Sequence, residues 1–219
     1  MKKIIFTAVF ITLAVTGAFC QNGVIRDLTG EVELKRLGSS AFVPASAGDA
    51  VSSNTIISTG FRSTAIIVIG SSVITVRPLT RLTLAEIQSA ENTENVNVNL
   101  QTGRVRVEVK PPAGTKTNLN VQSPSATASV RGTTFEMDTH NLNGIEGKIL
   151  LSGVSGAGVL VTGGNSSSIN IDGTVSDPVI NAEQSVQIQP PVGANSEAQS
   201  IVQSNKGDLN IIVRYPERN

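Results

Sequence analysis

The stretch Asn95-Val-Asn-Val-Asn-Leu-Gln-Thr-Gly-Arg-Val-Arg-Val-Glu-Val-Lys110 decides the fold class. Before Gly103, apolar residues alternate with asparagines, and after it three valines alternate with charged residues. A period of two places successive side chains on opposite faces of an extended chain, so each half predicts a strand with one buried and one solvated face. The connection Gln101-Thr-Gly103 is short and contains glycine, which predicts that the two strands form a hairpin.

Short apolar runs separated by turn residues continue through the rest of the chain. Ala65–Ile69 is apolar without interruption, which predicts a strand covered on both faces. Leu82–Ala90 is the best helix candidate, but the alternation at its start and the lack of an N-cap favour a strand. The other runs that predict strands are Val24–Leu28, Gly30–Leu37, Asn118–Gln122, Thr134–Asp138, Lys148–Leu151, Val159–Thr162, Ser168–Ile171, Ser185–Gln189 and Asn210–Tyr215.

These runs predict an all-β fold, either a sandwich or a solenoid-like stack of many short strands. Little or no helix is expected after residue 20. The turns recur at spacings of roughly eight to twelve residues, as in sandwiches and barrels. No fixed repeat period is present, so periodicity alone does not support a regular solenoid.

The first twenty residues have the plan of a secretory signal peptide. Lys2 and Lys3 precede an apolar run that ends at Val15, and Ala18 and Cys20 supply small residues at a cleavage site. The run is too short for a membrane anchor. We therefore predict export, cleavage after Cys20, and a periplasmic or other cell-envelope location.

A lipoprotein attached through Cys20 is the alternative, and the bulky Phe19 before the cysteine disfavours it. No second apolar segment of about 18 residues follows, so no transmembrane segment is predicted in the mature chain.

The predicted mature chain lacks the residue types on which many enzymes and nucleic-acid-binding proteins depend. Cys20 is the only cysteine, His140 is the only histidine, and tryptophan is absent. We therefore expect no disulfide, no thiolate nucleophile, no cofactor and no metal site. The chain has 17 basic and 17 acidic residues. A nearly neutral charge and few aromatic rings argue against a nucleic-acid partner.

Two pairs of carboxylates are candidates for catalysis. Glu31 and Glu33 share one face of a predicted strand, as do Glu136 and Asp138. Alternate residues of a strand lie about 7 Å apart, a separation that glycosidases use. Such pairs are also common on exposed strands, and neither has an apolar setting that would raise a pKa. We interpret both pairs as solvated surface and assign no catalytic residue.

The remaining candidates for a general base or a metal ligand lie in segments whose composition is typical of turns. His140 lies in a run of turn residues that extends to Gly144, without an evident nucleophile or orienting acid. Asp172-Gly173 is similar to part of a calcium-binding loop, but Val179 stands where that loop needs a bidentate glutamate. We therefore predict turns at both places.

Five arginines are the candidates for an anion-binding surface, but nearby acids favour an ordinary solvated face. They are Arg62, Arg77, Arg81, Arg104 and Arg106.

One segment is unusual for a simple strand. It reads Val121-Gln-Ser-Pro-Ser-Ala-Thr-Ala-Ser-Val-Arg-Gly-Thr-Thr-Phe135. Small side chains let backbones approach closely, Gly132 permits a positive φ, and Phe135 returns the chain to the core. If Arg131 were buried here, it would need a carboxylate or several carbonyl groups as partners.

This segment resembles the signature of the FecR-like domain family, and earlier segments resemble that family in the same order. The earlier segments are Ala47–Asp49, Ile56–Gly60, Arg62–Ala65, Ile74–Thr80 and Leu100–Val105. The motif residues, to which the resemblance gives a structural role, are Gly48, Asp49, Pro124, Val130, Arg131, Gly132, Thr133 and Phe135.

The resemblance covers about Gly30 to Thr162 and extends at most to Gln189. Together with the signal-peptide pattern and the composition of the C-terminal segment, it predicts a signal peptide, 1–20, a FecR-like β domain, 21–189, and a flexible linker or tail, 190–219, with a terminal strand at Asn210–Tyr215. Two departures stand out. The family's Asp-Gly-Ser turn is Gly70-Ser71-Ser72 here, and the stretch Gly144–Gly158 is expanded.

The resemblance implies an all-β envelope domain without enzymatic activity. In the family's namesakes this domain relays signals from an outer-membrane iron transporter to a cytoplasmic sigma factor, which requires a transmembrane helix and an anti-sigma segment. Neither is evident in this sequence. What the resemblance implies for this chain is a secreted, stand-alone copy of the sensing or scaffolding module.

We therefore expect a non-catalytic cell-envelope protein whose partner is another envelope protein, held through an edge strand that Asn210–Tyr215 or its neighbours supply. The alternatives are binding of cell-wall or anionic polysaccharide through the surface arginines, and glycan hydrolysis by Glu136 and Asp138.

Overall fold

A computed structural model describes residues 23–90, 92–156 and 158–180 of the 219-residue chain. The predicted signal peptide with Cys20, the predicted strand Ser185–Gln189, and the predicted tail 190–219 with its strand Asn210–Tyr215 lie outside the described residues. Among the described residues, no helix is long and apolar enough to cross a membrane.

The described chain is built from eighteen short strands. The first nine are β1 Gly23–Thr29, β2 Val32–Lys35, β3 Val43–Pro44, β4 Ala50–Val51, β5 Thr55–Thr59, β6 Thr64–Ile69, β7 Ser72–Val76, β8 Arg81–Ala90 and β9 Thr93–Thr102. The others are β10 Arg104–Val109, β11 Lys116–Gln122, β12 Ala126–Val130, β13 Thr134–Asp138, β14 Asn141–Glu146, β15 Lys148–Gly153, β16 Gly158–Thr162, β17 Asn165–Ser168 and β18 Val179–Ile180.

The strands form two nine-stranded sheets. Sheet A has the order β18-β17-β14-β13-β10-β7-β6-β1-β4, and sheet B has the order β16-β15-β12-β11-β9-β8-β5-β2-β3. Neighbouring strands are antiparallel, except that β9 and β11 are parallel. In most of the chain, two consecutive strands join one sheet and the next two join the other. In both sheets, later strands therefore lie progressively nearer the same edge, which is formed by β18 in sheet A and β16 in sheet B. The all-β prediction is confirmed.

Alternate residues of both sheets point inward and form one apolar core. Val96, Val98 and Leu100 of β9 are buried from sheet B, and the valines of β10 are buried from sheet A. Phe135 and Met137 of β13 are fully buried. Burial of each such side chain contributes about 1.5–3 kcal/mol. The period-two pattern therefore identified the inward face of these strands.

The predicted hairpin between β9 and β10 is wrong. The chain crosses at Gly103 from sheet B to sheet A, where β10 pairs with β7 and β13. Strand β9 pairs instead with β8 and β11. Alternation specifies which face of a strand is buried, but it does not specify the neighbouring strand. A chain that leaves one sheet for the other still buries both sets of apolar residues.

Three further local predictions need correction. Ile66 and Val68 of β6 are half-buried, so the strand Ala65–Ile69 is not covered on both faces. The predicted turn around His140 is confined to residues 139–140, because β14 begins at Asn141. The predicted strand Ser168–Ile171 is also displaced, since β17 ends at Ser168 and Ile171 is fully exposed.

Several loops meet at one end of the sandwich. Strand β7 ends there, β10 begins there and β13 ends there, as the pairs Val105–Val76 and Arg104–Asp138 show. The loop 60–63 between β5 and β6 joins them, because the backbone N–H of Leu79 donates to the carbonyl oxygen of Gly60 at 3.2 Å. We call this the groove end.

Candidate functional site

A groove of about 870 Å³ opens at the groove end. It lies between the loop 77–80 and the turn that joins β13 to β14. The side chains on which its chemistry depends are Arg77, Leu79, Arg104, Glu136, Asp138 and His140. The register of β10 and β13 brings these residues together from positions far apart in the sequence.

Two ion pairs cross the strands along the groove. Arg77 Nε donates to Glu136 Oε1 at 3.0 Å, and Arg104 Nη2 donates to Asp138 Oδ2 at 2.9 Å. Both arginines remain about half exposed, whereas the two carboxylates are mostly covered. Partly exposed pairs of this kind contribute roughly 0–1 kcal/mol to folding. Their chief effect is to fix the directions of two cations and two anions on one surface.

Asp138 organises the turn beside the groove. Its Oδ1 accepts hydrogen bonds from the backbone N–H groups of His140 and Asn141, both at 2.8 Å. Partial burial opposes ionisation of this carboxyl group, but the N–H of His140, the Arg104 guanidinium and the N–H of Asn141 outweigh that effect. Together they hold the pKa of Asp138 below its ordinary value. Asp138 is therefore ionised at neutral pH.

Two large apolar side chains stand exposed on adjoining loops of the groove end. Phe61 is 71 % exposed and Leu79 is 60 % exposed. The Arg62 guanidinium lies 5.3 Å from the centre of the Phe61 ring, a cation–π distance. Neither apolar side chain contributes much to the core, so both present apolar surface to solvent.

The backbone beside these side chains is strained. Leu79 has φ 55° and Arg62 has φ 55°, in the left-handed region that side chains with a Cβ seldom adopt. Asn54 is the third such non-glycine among the described residues, and asparagine tolerates this conformation better. Each strained residue costs of order 1–3 kcal/mol, and such strain concentrates at functional surfaces.

The two carboxylate pairs considered for catalysis have different surroundings. Glu136 and Asp138 lie in the groove, but each is paired with an arginine, and Asp138 is held ionised. A general acid needs the opposite, a carboxyl group with a raised pKa. Glu31 is exposed beside the loop 60–63, where its carbonyl oxygen accepts from the N–H of Gly60 at 2.8 Å, and Glu33 is half-buried on β2. Neither side chain lines the groove.

The other predicted chemical candidates occupy turns and edges. His140 is exposed, and its Nδ1 lies 2.9 Å from the Thr139 hydroxyl oxygen. Asp172 Oδ1 accepts from the backbone N–H and the hydroxyl of Thr174 at 2.9 and 2.6 Å, which closes a turn. In the described ranges, no group of three or more His, Cys, Asp or Glu side chains is placed to hold a metal ion.

The five candidate arginines do not form one surface. Arg77 and Arg104 are in the groove and Arg62 contacts Phe61 beside it. Arg81 lies 5.4 Å from the ring centre of Phe42. Arg106 lies opposite Glu136 on the outer face of sheet A. Arg106 therefore neighbours the groove residues, whereas Arg81 is set apart from them beside Phe42.

The motif residues lie at both ends of the sandwich. Pro124 sits in the turn between β11 and β12, where the N–H of Ser123 donates to the carbonyl oxygen of Ala126 at 2.8 Å. Val130 and Phe135 are buried. Gly132 has φ 83° at the crossing from β12 to β13, a value that favours glycine.

Arg131 and Thr133 flank this glycine in different surroundings. The Thr133 carbonyl oxygen accepts from the N–H of Val109 at 2.8 Å. Arg131 is exposed rather than buried, so it needs no internal partner.

Gly48 and Asp49 form the turn that places β4 beside β1. Gly48 has φ 91°, and its N–H donates to the carbonyl oxygen of Ile25 at 2.8 Å. Asp49 Oδ2 accepts from the N–H of Ser46 at 2.8 Å. Arg36 lies 3.8 Å from the other carboxylate oxygen of Asp49.

The turn Gly70-Ser71-Ser72, which replaces the family's Asp-Gly-Ser turn, is hydrogen-bonded by a carboxylate of the other sheet. Glu94 Oε2 of β9 accepts from the N–H of Ser71 at 3.1 Å and from its hydroxyl at 2.8 Å. It also accepts from the Thr117 hydroxyl at 3.2 Å. A Cβ on Gly70 would overlap the Glu94 carboxylate. The turn thus has an acid partner although its own sequence lacks one.

Sequence reasoning missed the two exposed apolar residues of the groove end. Phe61 follows Gly60 and Leu79 follows Pro78, and both dipeptides indicate turns. A bulky apolar residue inside a predicted turn was the available signal. The proximity of the two turns was not available, because it depends on the pairing of β5 with β8.

Comparison with known proteins gives a family match and two similar solved structures. Residues 55–156 match the family described as FecR protein. No curated protein matches the chain. Two crystal structures of a protein described as a putative anti-sigma factor from Parabacteroides distasonis resemble it, each with a TM-score of 0.46 and 13 % identity. The similarity covers 57 % of this chain and 59 % of that one, which is less than two thirds of either. The residues that line the groove all lie within the segment 55–156 that matches this family.

Proposed function

We propose that this chain is a non-catalytic module of the cell envelope, used for sensing or as a scaffold, and that it binds another protein through the groove end. The observation that carries the proposal is the exposure of Phe61 and Leu79 on adjoining strained turns. The match of residues 55–156 to the family described as FecR protein supports a regulatory role over a metabolic one.

The groove end has the composition of a protein-binding surface. Large apolar side chains that become buried on binding supply most of the affinity, and a polar rim excludes water around them. Phe61 and Leu79 would supply the apolar centre. The ion pairs Arg77–Glu136 and Arg104–Asp138 would supply the rim. Burial of each apolar side chain contributes about 1.5–3 kcal/mol, which is enough to discriminate between partners.

The chemistry of the groove favours recognition over catalysis. Its carboxylates are occupied by arginines, and the lowered pKa of Asp138 removes it as a proton donor near neutral pH. His140 has a threonine hydroxyl beside it rather than an orienting carboxylate. These contacts give the surface a fixed pattern of charge, which is what specific docking requires.

Site-specific photocrosslinking in the producing cells tests this proposal. A photoreactive amino acid replaces Phe61 in the full-length protein, and a matched chain carries it at Leu37. Leu37 is 75 % exposed but follows β2 at the opposite end of the sandwich. We expect a discrete crosslinked protein from position 61 that position 37 does not give, and we expect Leu79→Ser to reduce its yield. Equal patterns from both positions would contradict the proposal.

We also propose that the chain is exported, on the strength of the signal-peptide pattern in residues 1–20. Fractionation of the producing cells, followed by intact mass determination, tests this. Cleavage after Cys20 predicts a product that begins at Gln21, whereas lipidation predicts a product that retains Cys20 with added acyl mass. A cytoplasmic product with an intact N-terminus would overturn the export proposal.

A further inference from the structure

The outer face of sheet B carries a second groove, chemically unlike the one at the groove end. Its floor consists of the short polar side chains that β9, β11 and β12 direct outward. The groove has two adjoining parts, of about 840 and 590 Å³, and Asn120 and Ser129 line both of them. We call this continuous depression the amide groove.

A ladder of amides fixes the floor. Because β9 and β11 are parallel, Asn118 lies opposite Asn95 and Asn120 lies opposite Asn97. Asn118 Nδ2 donates to Asn95 Oδ1, and Asn120 Nδ2 donates to Asn97 Oδ1, each at 2.9 Å. Asn97 Nδ2 donates in turn to Glu86 Oε2 at 2.6 Å. Each ladder bond uses one donor and one acceptor, so other N–H and C=O positions of the amides remain for a ligand.

Longer side chains form the walls. Glu86 and Gln88 rise from β8 on one side. On the other side, Leu150 of β15 lies directly opposite Leu160 of β16. These leucines are 47 % and 54 % exposed, so they form a small apolar patch at the margin of the groove.

One part of the amide groove is cationic. Arg131 and Lys148 line it, and none of the described residues that line this part is acidic. Within the described part of the chain, neither side chain forms an ion pair or a side-chain hydrogen bond. Two unpaired cations beside a row of amides attract a ligand that carries negative charge and many hydrogen-bonding groups.

We propose that the amide groove binds an acidic polysaccharide whose sugars carry hydroxyl or acetamido groups together with carboxylates. The amide ladder hydrogen-bonds the hydroxyl and acetamido groups, Arg131 and Lys148 bind the carboxylates, and the leucine pair contacts apolar faces or methyl groups of the sugars. The site differs from the surface of arginines considered from the sequence, none of which lines it. It is also separate from the proposed protein-binding surface, which lies at the strand ends.

The geometry favours a glycan over a peptide. A peptide strand is usually held by the backbone N–H and C=O groups of a sheet edge. The amide groove instead runs over the face of the sheet, across β9, β11 and β12 to β16, and its ligand would meet side chains alone. Fixed side-chain amides with both donors and acceptors match the hydroxyl groups of sugars.

Calorimetric titration of the full mature protein with hyaluronan octasaccharide tests the proposal, because this probe alternates acetamido sugars with uronates. Chitohexaose, which lacks carboxylates, and poly-L-glutamate, which lacks sugars, are the comparison ligands. We expect hyaluronan to bind, and chitohexaose to bind at least about tenfold more weakly. We expect Arg131→Gln and Lys148→Gln each to weaken hyaluronan binding by about tenfold, as the loss of a charge-assisted hydrogen bond implies.

Two further variants test whether binding depends on this site or only on the overall charge, and whether a loss of binding reflects misfolding. Arg106→Gln removes a cation from sheet A and should leave the affinity unchanged. Asn120→Leu fills the shared floor and should abolish binding, and a thermal melt establishes that it is folded. If it does not fold, the exposed Arg131 variant carries the test. Absence of hyaluronan binding, equal losses in Arg131→Gln and Arg106→Gln, or tighter binding of poly-L-glutamate would each overturn the proposal.

Discussion

Gly103→Ala tests whether backbone geometry fixes the crossing from sheet B to sheet A beside the groove. Gly103 has φ 88°. An added Cβ would lie 2.5 Å from Thr80 Cα and 2.7 Å from the Leu79 carbonyl oxygen, and it would also overlap the Thr80 hydroxyl. That hydroxyl oxygen accepts from the N–H of Arg104 at 2.9 Å, so a shift of Thr80 would disturb the first residue of β10.

The expected cost has two parts. A left-handed conformation costs a residue with a Cβ about 1–2 kcal/mol. Moving the crowded backbone adds about 1–3 kcal/mol, as for an overpacked site. The free energy of unfolding should therefore fall by roughly 2–5 kcal/mol, which lowers the melting temperature of a domain of this size by roughly 10 °C.

Gly48→Ala is the matched control. Gly48 has φ 91°, but an added Cβ there would meet no atom within 4 Å. The free energy of unfolding of this variant should fall only by the cost of the left-handed conformation, about 1–2 kcal/mol. Urea denaturation of both variants, followed by far-UV circular dichroism, measures the difference. A loss at Gly103 no greater than the loss at Gly48 would refute the argument that close packing at the crossing requires glycine.

Two other predictions concern carboxylates. Glu94→Gln replaces the charged acceptor of the Ser71 N–H and hydroxyl, so the free energy of unfolding should fall by about 1–3 kcal/mol. The control Glu33→Gln should change it by less than about 0.5 kcal/mol. Equal urea midpoints for the two variants would contradict the role assigned to Glu94. Folding lowers the pKa of Asp138 from its ordinary value of 3.8. The ionised carboxylate therefore stabilises the folded state fully above about pH 3.8, and this contribution is lost as the pH falls through the pKa of the folded state. Acid should therefore destabilise the wild type more steeply than Asp138→Asn below about pH 4, and parallel curves of unfolding free energy against pH would exclude that contribution.

Local sequence pattern predicted the strands well where one face is apolar. The valines of β10 alternate with charged residues and the apolar residues of β9 alternate with asparagines, and both apolar sets are buried as expected. The pattern failed at β14, because Asn141–Glu146 has the composition of a turn. That segment becomes a strand because it pairs with β13 and β17 on either side. Pairing in the sheet overrides the local preference of asparagine and glycine there.

The candidate site was only partly visible in the sequence. Glu136, Asp138 and His140 were recognised as chemically capable residues, and Arg77 and Arg104 as candidate anion binders. The pairing of these arginines with Glu136 and Asp138 was not predicted. Arg77 and Glu136 are 59 positions apart and meet because both β7 and β13 pair with β10. The amide ladder was likewise hidden, because alternation placed Asn97 and Asn120 outward without indicating that β9 and β11 are parallel neighbours.

The sequence alone determined that this chain forms many short strands, which residues those strands bury, and that residues 121–135 follow the FecR-like pattern. It could do so because the period of a strand and the conformation of glycine are local properties. Only the tertiary structure decided which strands are neighbours, and therefore which charges, amides and exposed apolar side chains share a surface. Strand pairing joins residues that are distant along the chain, and several pairings satisfy the same alternation of apolar and polar residues.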